Sequence, residues 1–349
     1  MIQILLKGGL GNQMFEYAYA YALKVSRAHG NEKMCINGSF LKYSPDKRKI
    51  ALGNLALADD TEILPILPHP LAVIRTFSLI FKYFSEFGLS AFIGRILVFS
   101  QMMATNKKWS FLQSSGFVSL IEKLHTRLSA KGHTPSGNEA DYTGIFQRGL
   151  YYVRDYYQSP PIVPSTAANK YVWGLFQHIS TIEGIEDELR KRFAVKTEAS
   201  EANKKILEEI KSCNGVCLHI RRGDYLSQAF VNTLCVCDER YYVEAVQQAH
   251  EQLDNPVFFC FSNDHESIEW IKQNYHFPSV DIRYVDLDNP DYEELRLMTA
   301  CKHFIISNST FSWWAAVLSD EHPQKRVWVP KTWIKGRNVT LYKDSWTTL

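Results

Sequence analysis

The sequence has no low-complexity tract, no excess of charge of either sign and no long uncharged apolar run. Its 349 residues carry 39 Lys and Arg against 37 Asp and Glu, which leaves a net charge of +2. Such a chain lacks the polybasic surface that attracts nucleic acids, so we expect no nucleic-acid partner. The most apolar stretch, residues 71–104, contains Arg75, Lys82, Glu86 and Arg95. No uncharged run within it reaches the ~18 residues that span a bilayer.

We interpret residues 71–104 as amphipathic helices packed on the first of two domains, and a peripheral membrane contact through this stretch is the alternative. The start of the chain, residues 2–6, lacks the cationic region and cleavage site of a secretory signal. Seven cysteines, an odd number, include no pair with the two-residue spacing of a zinc knuckle. We therefore expect a cytoplasmic protein with reduced thiols, at most peripheral to the inner face of a membrane.

A complete dinucleotide-binding fingerprint is also missing. Glycines occupy positions 8, 9 and 11 after an apolar strand at residues 2–7, but the third glycine of the fingerprint would fall on Met14. A nicotinamide cofactor is therefore disfavoured. We expect residues 8–13 to form a tight loop before a helix at 14–29, and we assign Gly9, Gly11 and Gln13 to the acceptor side of a cleft. The simpler alternative is that the loop only turns the chain. Asn12 and Gln13 would then present two amides at the mouth of a cleft, where they could bind hydroxyl groups.

What the second half does contain is a regular alternation of strand and helix patterns. The predicted strands cover residues 216–220, 256–261, 280–285, 303–307 and 326–329, and the helices between them cover 238–253, 265–274, 291–302 and 311–319. Strands that alternate with helices indicate right-handed crossovers and a parallel α/β sheet. Because 349 residues exceed what one core usually supports, we expect two domains, residues 1–199 with a helical insertion and residues 200–349.

Polar side chains follow four of these strands. They are His219, Arg221, Arg222 and Asp224 after the first, Asn263 and Asp264 after the second, Asp286 after the third, and Ser309 and Thr310 after the fourth. Ligands of parallel sheets bind at the carboxyl ends of the strands, so these residues predict one site. Its paired arginines indicate that the ligand contains phosphate.

Two of these motifs have alternative interpretations. Asp286 and Asp288 form an Asp-x-Asp motif, which could hold a nucleotide diphosphate through a divalent cation, whereas the paired arginines could neutralise a diphosphate without metal. Ser309 and Thr310 precede a helix, where hydroxyls and backbone N–H groups could bind an anion. The simpler alternative is that these hydroxyls only cap the helix.

Three longer motifs resemble a known family. They are GGLGNQMF at residues 8–15, HIRRGDY at 219–225, and LMTACKH at 297–303 running into NSTFSWWAA at 308–316. In this order and spacing they resemble the alpha-1,2-fucosyltransferases of glycosyltransferase family 11, the bacterial relatives of the blood-group H enzymes. The resemblance implies a GT-B architecture, in which two Rossmann-like domains face each other across a cleft. It further implies metal-independent, inverting transfer of fucose from GDP-beta-L-fucose to the 2-hydroxyl of a terminal galactose, with no cofactor.

The resemblance also implies roles for individual residues. Arg221 would contact the beta-phosphate, with Arg222 beside it. Guanine would be contacted by His219, Asn263 and Asp264, and the diphosphate would be lined by Ser309, Thr310 and Phe311. Asn12 would reach the fucose or acceptor from the first domain. Asp224 is a candidate general base or a partner that orients the arginines. We expect residues 43–170, which carry little recognisable pattern, to set acceptor preference. A metal-dependent transferase and a non-catalytic sugar- or nucleotide-binding protein remain the alternatives.

Overall fold

The computed structural model describes residues 1–26, 32–43, 48–66, 144, 146–153, 157, 161–228, 231–320, 323–339 and 341–349. The helices expected within residues 71–104, the membrane contact proposed for them and most of the expected acceptor segment lie outside the described residues. In the part of the chain that is described, no helix has the length and apolar character needed to cross a bilayer.

The first α/β unit contains a five-stranded parallel sheet. Its strands are β1 (Ile2–Leu5), β2 (Met34–Asn37), β3 (Thr61–Ile63), β4 (Leu150–Tyr152) and β5 (Lys170–Trp173). They lie in the order β3-β2-β1-β5-β4, and every neighbouring pair is parallel. All four residues of β1, β2 and β5 are buried, as expected for strands of a parallel sheet that is covered on both faces.

The second α/β unit contains a six-stranded parallel sheet. Its strands are β6 (Asn214–His219), β7 (Pro256–Phe261), β8 (Asp281–Tyr284), β9 (His303–Ile305), β10 (Val327–Val329) and β11 (Thr347–Thr348). Their order is β11-β10-β9-β6-β7-β8, again with parallel pairs throughout. Counted from β6, this is the strand order of a Rossmann-type sheet. The predicted fold class, two α/β units with parallel sheets, is confirmed.

Helices connect these strands. They are α1 (Leu10–Val25), α2 (Ser39–Tyr43), α3 (Glu186–Arg192), α4 (Glu201–Ser212), α5 (Glu239–Gln252), α6 (His265–Asn274), α7 (Asp291–Thr299) and α8 (Thr310–Leu318). Side-chain caps fix the first turns of three of them: Ser200 accepts a hydrogen bond from the Asn203 N–H, Asp238 from that of Tyr241, and Asp264 from that of Ser267. These caps use donors that a helix start would otherwise leave unsatisfied.

The first glycine loop is shorter than the sequence predicts, because α1 begins at Leu10 rather than Met14. Gly8 makes the turn with φ +70°, a conformation that favours glycine. The carbonyl of Gly9 then accepts hydrogen bonds from the N–H groups of Asn12 (3.0 Å) and Gln13 (3.1 Å). Asn12 and Gln13 therefore belong to the first turn of a helix and not to a loop.

Helix α1 of the first unit packs directly on helix α8 of the second. The Phe15 ring lies 4.7 Å from that of Trp313 and 4.9 Å from that of Trp314, centre to centre. The Trp314 indole N–H donates to the carbonyl of Gly11 over 2.9 Å. A Cβ atom on Gly11 would lie only 2.6 Å from the backbone nitrogen of Phe311. A residue without a side chain thus allows the two helices to approach this closely, and the contact joins the two units.

Candidate active site

The crevice of the second unit lies between β6 and β9. After β6 the chain crosses to β7 on one side of the pair, and after β9 it crosses to β10 on the other side. At such a switch point the connections diverge and leave a crevice beyond the carboxyl ends of the strands. His219 ends β6 and is followed by Arg221 and Arg222, while β9 leads into Ser309 and Thr310 at the start of α8. The fold therefore brings to one edge the groups that the sequence placed after these two strands.

The corresponding switch point of the first unit lies between β1 and β5, and it meets the crevice of the second unit. Asn12 follows β1 and Gln177 follows β5. The side-chain amide of Gln177 donates to Asn12 Oδ1 over 2.8 Å, and the hydroxyl of Thr310 donates to the same oxygen over 2.9 Å. Asn12 and Thr310, both named as site residues from the sequence, are thus joined by a hydrogen bond between the two units.

His219 is a buried, neutral imidazole. The residue is only 3% exposed, and its Nδ1 lies 2.9 Å from the hydroxyl oxygen of Ser307. Burial, and secondarily the positive charge of Arg221, lowers the pKa of His219 to about 3. The Phe311 ring lies 6.1 Å from the imidazole, centre to centre. At neutral pH His219 can therefore offer one N–H donor or one lone pair, but no charge.

The two arginines point in different directions. The Arg222 guanidinium stacks on Trp270 of α6, 3.2 Å from the ring centre. The backbone N–H of Arg222 donates to Asn263 Oδ1 over 2.8 Å. The Arg221 guanidinium instead lies 5.4 Å from the ring centre of Tyr225, whose hydroxyl donates to the carbonyl of Asn308 over 2.9 Å. Arg221 is therefore on the side of the β6–β9 crevice, and Arg222 is held against a helix.

Three of the expected site residues have structural partners. Gln13 is fully buried; its amide donates to the carbonyls of Gly8 (3.0 Å) and Lys49 (2.9 Å), and its Oε1 accepts from the Ala51 N–H (2.9 Å). The expectation that Gln13 presents an amide at the cleft is therefore wrong. Asp264 caps α6 through the Ser267 N–H at 2.8 Å, and Gly9 occupies the N-cap of α1. The side chain of Asp224 lies outside the described part of the structure.

The acidic motif after β8 is arranged differently from the Asp-x-Asp interpretation. Asp286 Oδ2 lies 2.6 Å from His265 Nδ1, so this carboxylate contacts a side chain outside the motif. Among the described residues, His265, Glu269 and Asp286 place potential ligand atoms within 4.8 Å of one another. Glu269 also pairs with Lys272 over 2.6 Å. If a cation binds at this edge, these three residues are the group that could hold it.

Sequence reasoning missed two polar residues, Gln177, which contacts Asn12, and Glu294, whose carboxyl interacts electrostatically with Arg221. Glu294 lies in the first turns of α7, where burial, and secondarily the charge of Asp291, raises its pKa to about 8, whereas Arg221 opposes the rise. A carboxyl with a pKa near neutrality and an arginine close by is typical of acid–base sites. The sequence signal for Glu294 was the group of acidic residues at the start of α7. Acidic residues at this position are equally explained by their favourable interaction with the helix dipole.

The raised pKa of Glu294 predicts a specific pH dependence of stability. Between the unfolded value, 4.5, and the folded value, about 8, the folded state retains a proton that the unfolded state has lost, so stability falls as pH rises. We expect Glu294→Gln to flatten this decline, by roughly a few degrees in melting temperature. Thermal melts of both proteins from pH 5 to 8.5 measure it. Identical slopes of melting temperature against pH would contradict the raised pKa of Glu294. The pKa of the buried Glu16 is also raised, but Glu16 is present in both proteins, so the difference between them reports Glu294 alone.

Comparisons with known proteins identify the class to which this arrangement belongs. The model of glycosyl transferase family 11 matches residues 149–348. An alpha-1,2-colitosyltransferase from Escherichia coli is 38% identical over 34% of this chain and 40% of that protein. The O-antigen biosynthesis glycosyltransferase WbnK from Escherichia coli is 25% identical over 99% of both chains. Human galactoside alpha-(1,2)-fucosyltransferase 1 is 26% identical over 42% of this chain and 40% of that protein.

The class that these comparisons define is a family of glycosyl transferases. Because the family match covers more than half of the chain, including the whole six-stranded unit, the chain belongs to glycosyl transferase family 11. Its two parallel-sheet units are those of the GT-B fold that the resemblance implied. Among solved structures, the fucosyltransferase NodZ from Bradyrhizobium aligns over 91% of this chain and 92% of that chain, with 12% identity and a TM-score of 0.45. The chain matches less than half the length of the colitosyltransferase and of the human enzyme.

Proposed function

We propose that this protein transfers L-fucose from GDP-beta-L-fucose to the 2-hydroxyl of a terminal galactose, with inversion at the anomeric carbon. Its membership of family 11 and the names of two aligned relatives, both of which are alpha-1,2 transferases of a sugar, support this activity. The observation that carries the proposal in the structure is the position of Arg221. It lies beside a neutral His219 at the β6–β9 switch point, where a Rossmann-type sheet binds its nucleotide.

In this proposal each polar group has a chemical task. The Arg221 fork binds two oxygens of the beta-phosphate and stabilises the charge that develops as GDP leaves. Ser309 and the N–H groups at the start of α8 face the diphosphate, since the Ser309 side chain makes no capping hydrogen bond. The reaction occurs in the cytoplasm, and residues 71–104 are the segment that would contact a membrane.

We expect GDP to raise the melting temperature of the protein at concentrations at which UDP and CMP do not. A ligand that binds only the folded state stabilises it by an amount that grows with the logarithm of its concentration over its Kd. In this proposal the base pocket at the ends of β6 and β7 binds guanine. Differential scanning fluorimetry with the three nucleotides at equal concentrations measures the shifts. Equal shifts with all three nucleotides would contradict guanine specificity without contradicting glycosyl transfer as such.

We propose that transfer needs no metal, because Arg221 supplies the positive charge that a cation would otherwise provide. Activity should then change by less than about twofold when the protein is dialysed against EDTA, a difference well under 1 kcal/mol in the barrier. Loss of activity in EDTA that Mg²⁺ or Mn²⁺ restores would instead support a metal-dependent transferase. Asp286→Asn and Asp288→Asn would then show whether the acidic motif, or the group formed by His265, Glu269 and Asp286, binds the ion.

A second candidate activity is transfer of colitose. The alpha-1,2-colitosyltransferase is 38% identical to this chain over the aligned region, whereas the human fucosyltransferase is 26% identical. Colitose lacks one hydroxyl of fucose, and a site that hydrogen-bonds this hydroxyl would reject the deoxy sugar strongly. Competition between GDP-fucose and GDP-colitose for one acceptor decides between the two donors, with the ratio of kcat/KM as the readout.

A further inference from the structure

The carboxamide oxygen of Asn12 accepts two hydrogen bonds from two different parts of the protein. The buried side chain of Gln177, in a residue only 4% exposed, donates its amide N–H over 2.8 Å, and the Thr310 hydroxyl donates over 2.9 Å. An amide oxygen has two lone pairs, and both are used here. The orientation of the Asn12 amide thus depends on Gln177, because while Gln177 donates, the reverse orientation would turn the Asn12 NH₂ group towards another donor.

The nitrogen end of the same amide is also confined. A Cβ atom on Gly8 would lie only 2.4 Å from Asn12 Nδ2, so the backbone of Gly8 packs against the NH₂ group. Asn12 itself is partly exposed, unlike Gln177 and the neighbouring residues of α1. With its oxygen occupied from behind, the amide has only N–H donors to offer to a ligand that enters the cleft.

We propose that Gln177 is a positioning residue that, together with Thr310, holds the Asn12 amide so that its N–H groups bind an oxygen of the substrate. The ligand group is a hydrogen-bond acceptor, namely a sugar hydroxyl, and the inference rests on the glycosyl transfer proposed above. Gln177 follows β5 in the first unit and Thr310 begins α8 in the second. The Asn12 donor is therefore correctly oriented only while the two units are together.

The sharpest test is Gln177→Glu, which keeps the shape and changes only the donor. An ionised carboxylate accepts hydrogen bonds and cannot donate, so Asn12 would turn its NH₂ towards the introduced carboxylate and present its oxygen to the ligand. We expect kcat to fall roughly tenfold to a hundredfold, because a small misplacement of a reacting group has an effect of this size. The affinity for GDP, measured by calorimetry, should stay within about twofold of the wild-type value.

The pH profile of this variant separates positioning from a general loss of structure. A protonated carboxyl restores the donor to Asn12, so the activity of Gln177→Glu relative to wild type should decrease as pH rises and the carboxyl ionises. Gln252→Glu is the matched control, because Gln252 is exposed at the end of α5, on the opposite edge of the sheet. A wild-type pH profile and kcat in Gln177→Glu would overturn the proposal.

A double-mutant cycle tests the contact even if the sugar donor is not fucose. Gln177→Met removes the donor without adding charge, and Asn12→Ala removes the acceptor. If the two side chains act together, their effects on the free energy of unfolding will not be additive, since contacting residues couple. Additive effects would overturn the proposal, whereas a coupled pair in a protein that transfers no sugar from GDP-fucose would contradict only the proposed function.

Discussion

Arg221→Lys should reduce turnover by roughly 10²–10³, although the variant keeps its positive charge. Lysine supplies one point charge where the planar guanidinium would contact two phosphate oxygens, so it cannot reproduce a bidentate contact as GDP leaves. The loss of one strong contact to developing negative charge costs about 2.7–4 kcal/mol. Steady-state kinetics with saturating GDP-fucose and a galactoside acceptor measures kcat, and a thermal melt verifies that the variant is folded.

Arg222→Lys is the matched control for this experiment. The Arg222 guanidinium stacks on Trp270 at 3.2 Å from the ring centre, away from the β6–β9 crevice. Its replacement should cost about 0.5–1 kcal/mol of stability, the usual size of an exposed cation–π contact, and should leave most of the turnover. If both variants lost stability equally and activity only in proportion, the two arginines would be structural. A folded Arg221→Lys enzyme with near-normal turnover would remove Arg221 from the mechanism.

Gly11→Ala should destabilise the contact between the two units. The new Cβ atom would lie 2.6 Å from the backbone nitrogen of Phe311 and 2.7 Å from the hydroxyl oxygen of Thr310, and backbone atoms cannot move aside easily. Overpacking of this kind typically costs about 1–3 kcal/mol. Because the same shift would displace Thr310 from Asn12, we also expect kcat to fall. Denaturant unfolding measures the first effect and steady-state kinetics the second.

Gly9→Ala tests whether this loss is specific to the helix contact. A Cβ atom on Gly9 would have its nearest neighbour, outside the adjacent residues, at 4.0 Å, on the flexible side chain of Arg48. Its φ of −80° suits alanine, so only a small loss at the N-cap is expected. Equal destabilisation by both substitutions would show that the glycines serve the turn, and that the close approach of α1 to α8 does not require Gly11.

The sequence predicted the second unit well because its signals were local and repeated. Strand β7 and helix α6 begin and end where the pattern placed them, and the other strands differ by one or two residues. The two-residue strand β11 was missed, since Thr347–Thr348 has no periodicity of its own and exists only by pairing with β10. The early start of α1 was missed because glycine is unfavourable inside helices, and only the packing of Gly11 on α8 explains its presence there.

The sequence predicted which strand ends form the site, but it did not predict the hydrogen bonds between the side chains within the site. Parallel topology places His219, Arg221 and Ser309 at one edge, which follows from the strand order alone. Which of two adjacent amides faces the cleft depends on contacts from distant segments: Gln13 binds Lys49 and Ala51, whereas Asn12 meets Gln177 and Thr310. Contacts of this sequence separation leave no local pattern, and Gln177 and Glu294 were missed for the same reason.

The most direct test of the account is the product formed from GDP-fucose and a galactose-terminated acceptor. The purified protein should release GDP and add one fucose to the acceptor in an alpha linkage to the 2-hydroxyl of galactose, as shown by mass spectrometry and by NMR of the product. GDP-colitose in a parallel reaction should be a poorer donor by kcat/KM. Tight binding of GDP with no sugar transferred to any galactoside, or a product linked at another hydroxyl, would contradict the proposed function.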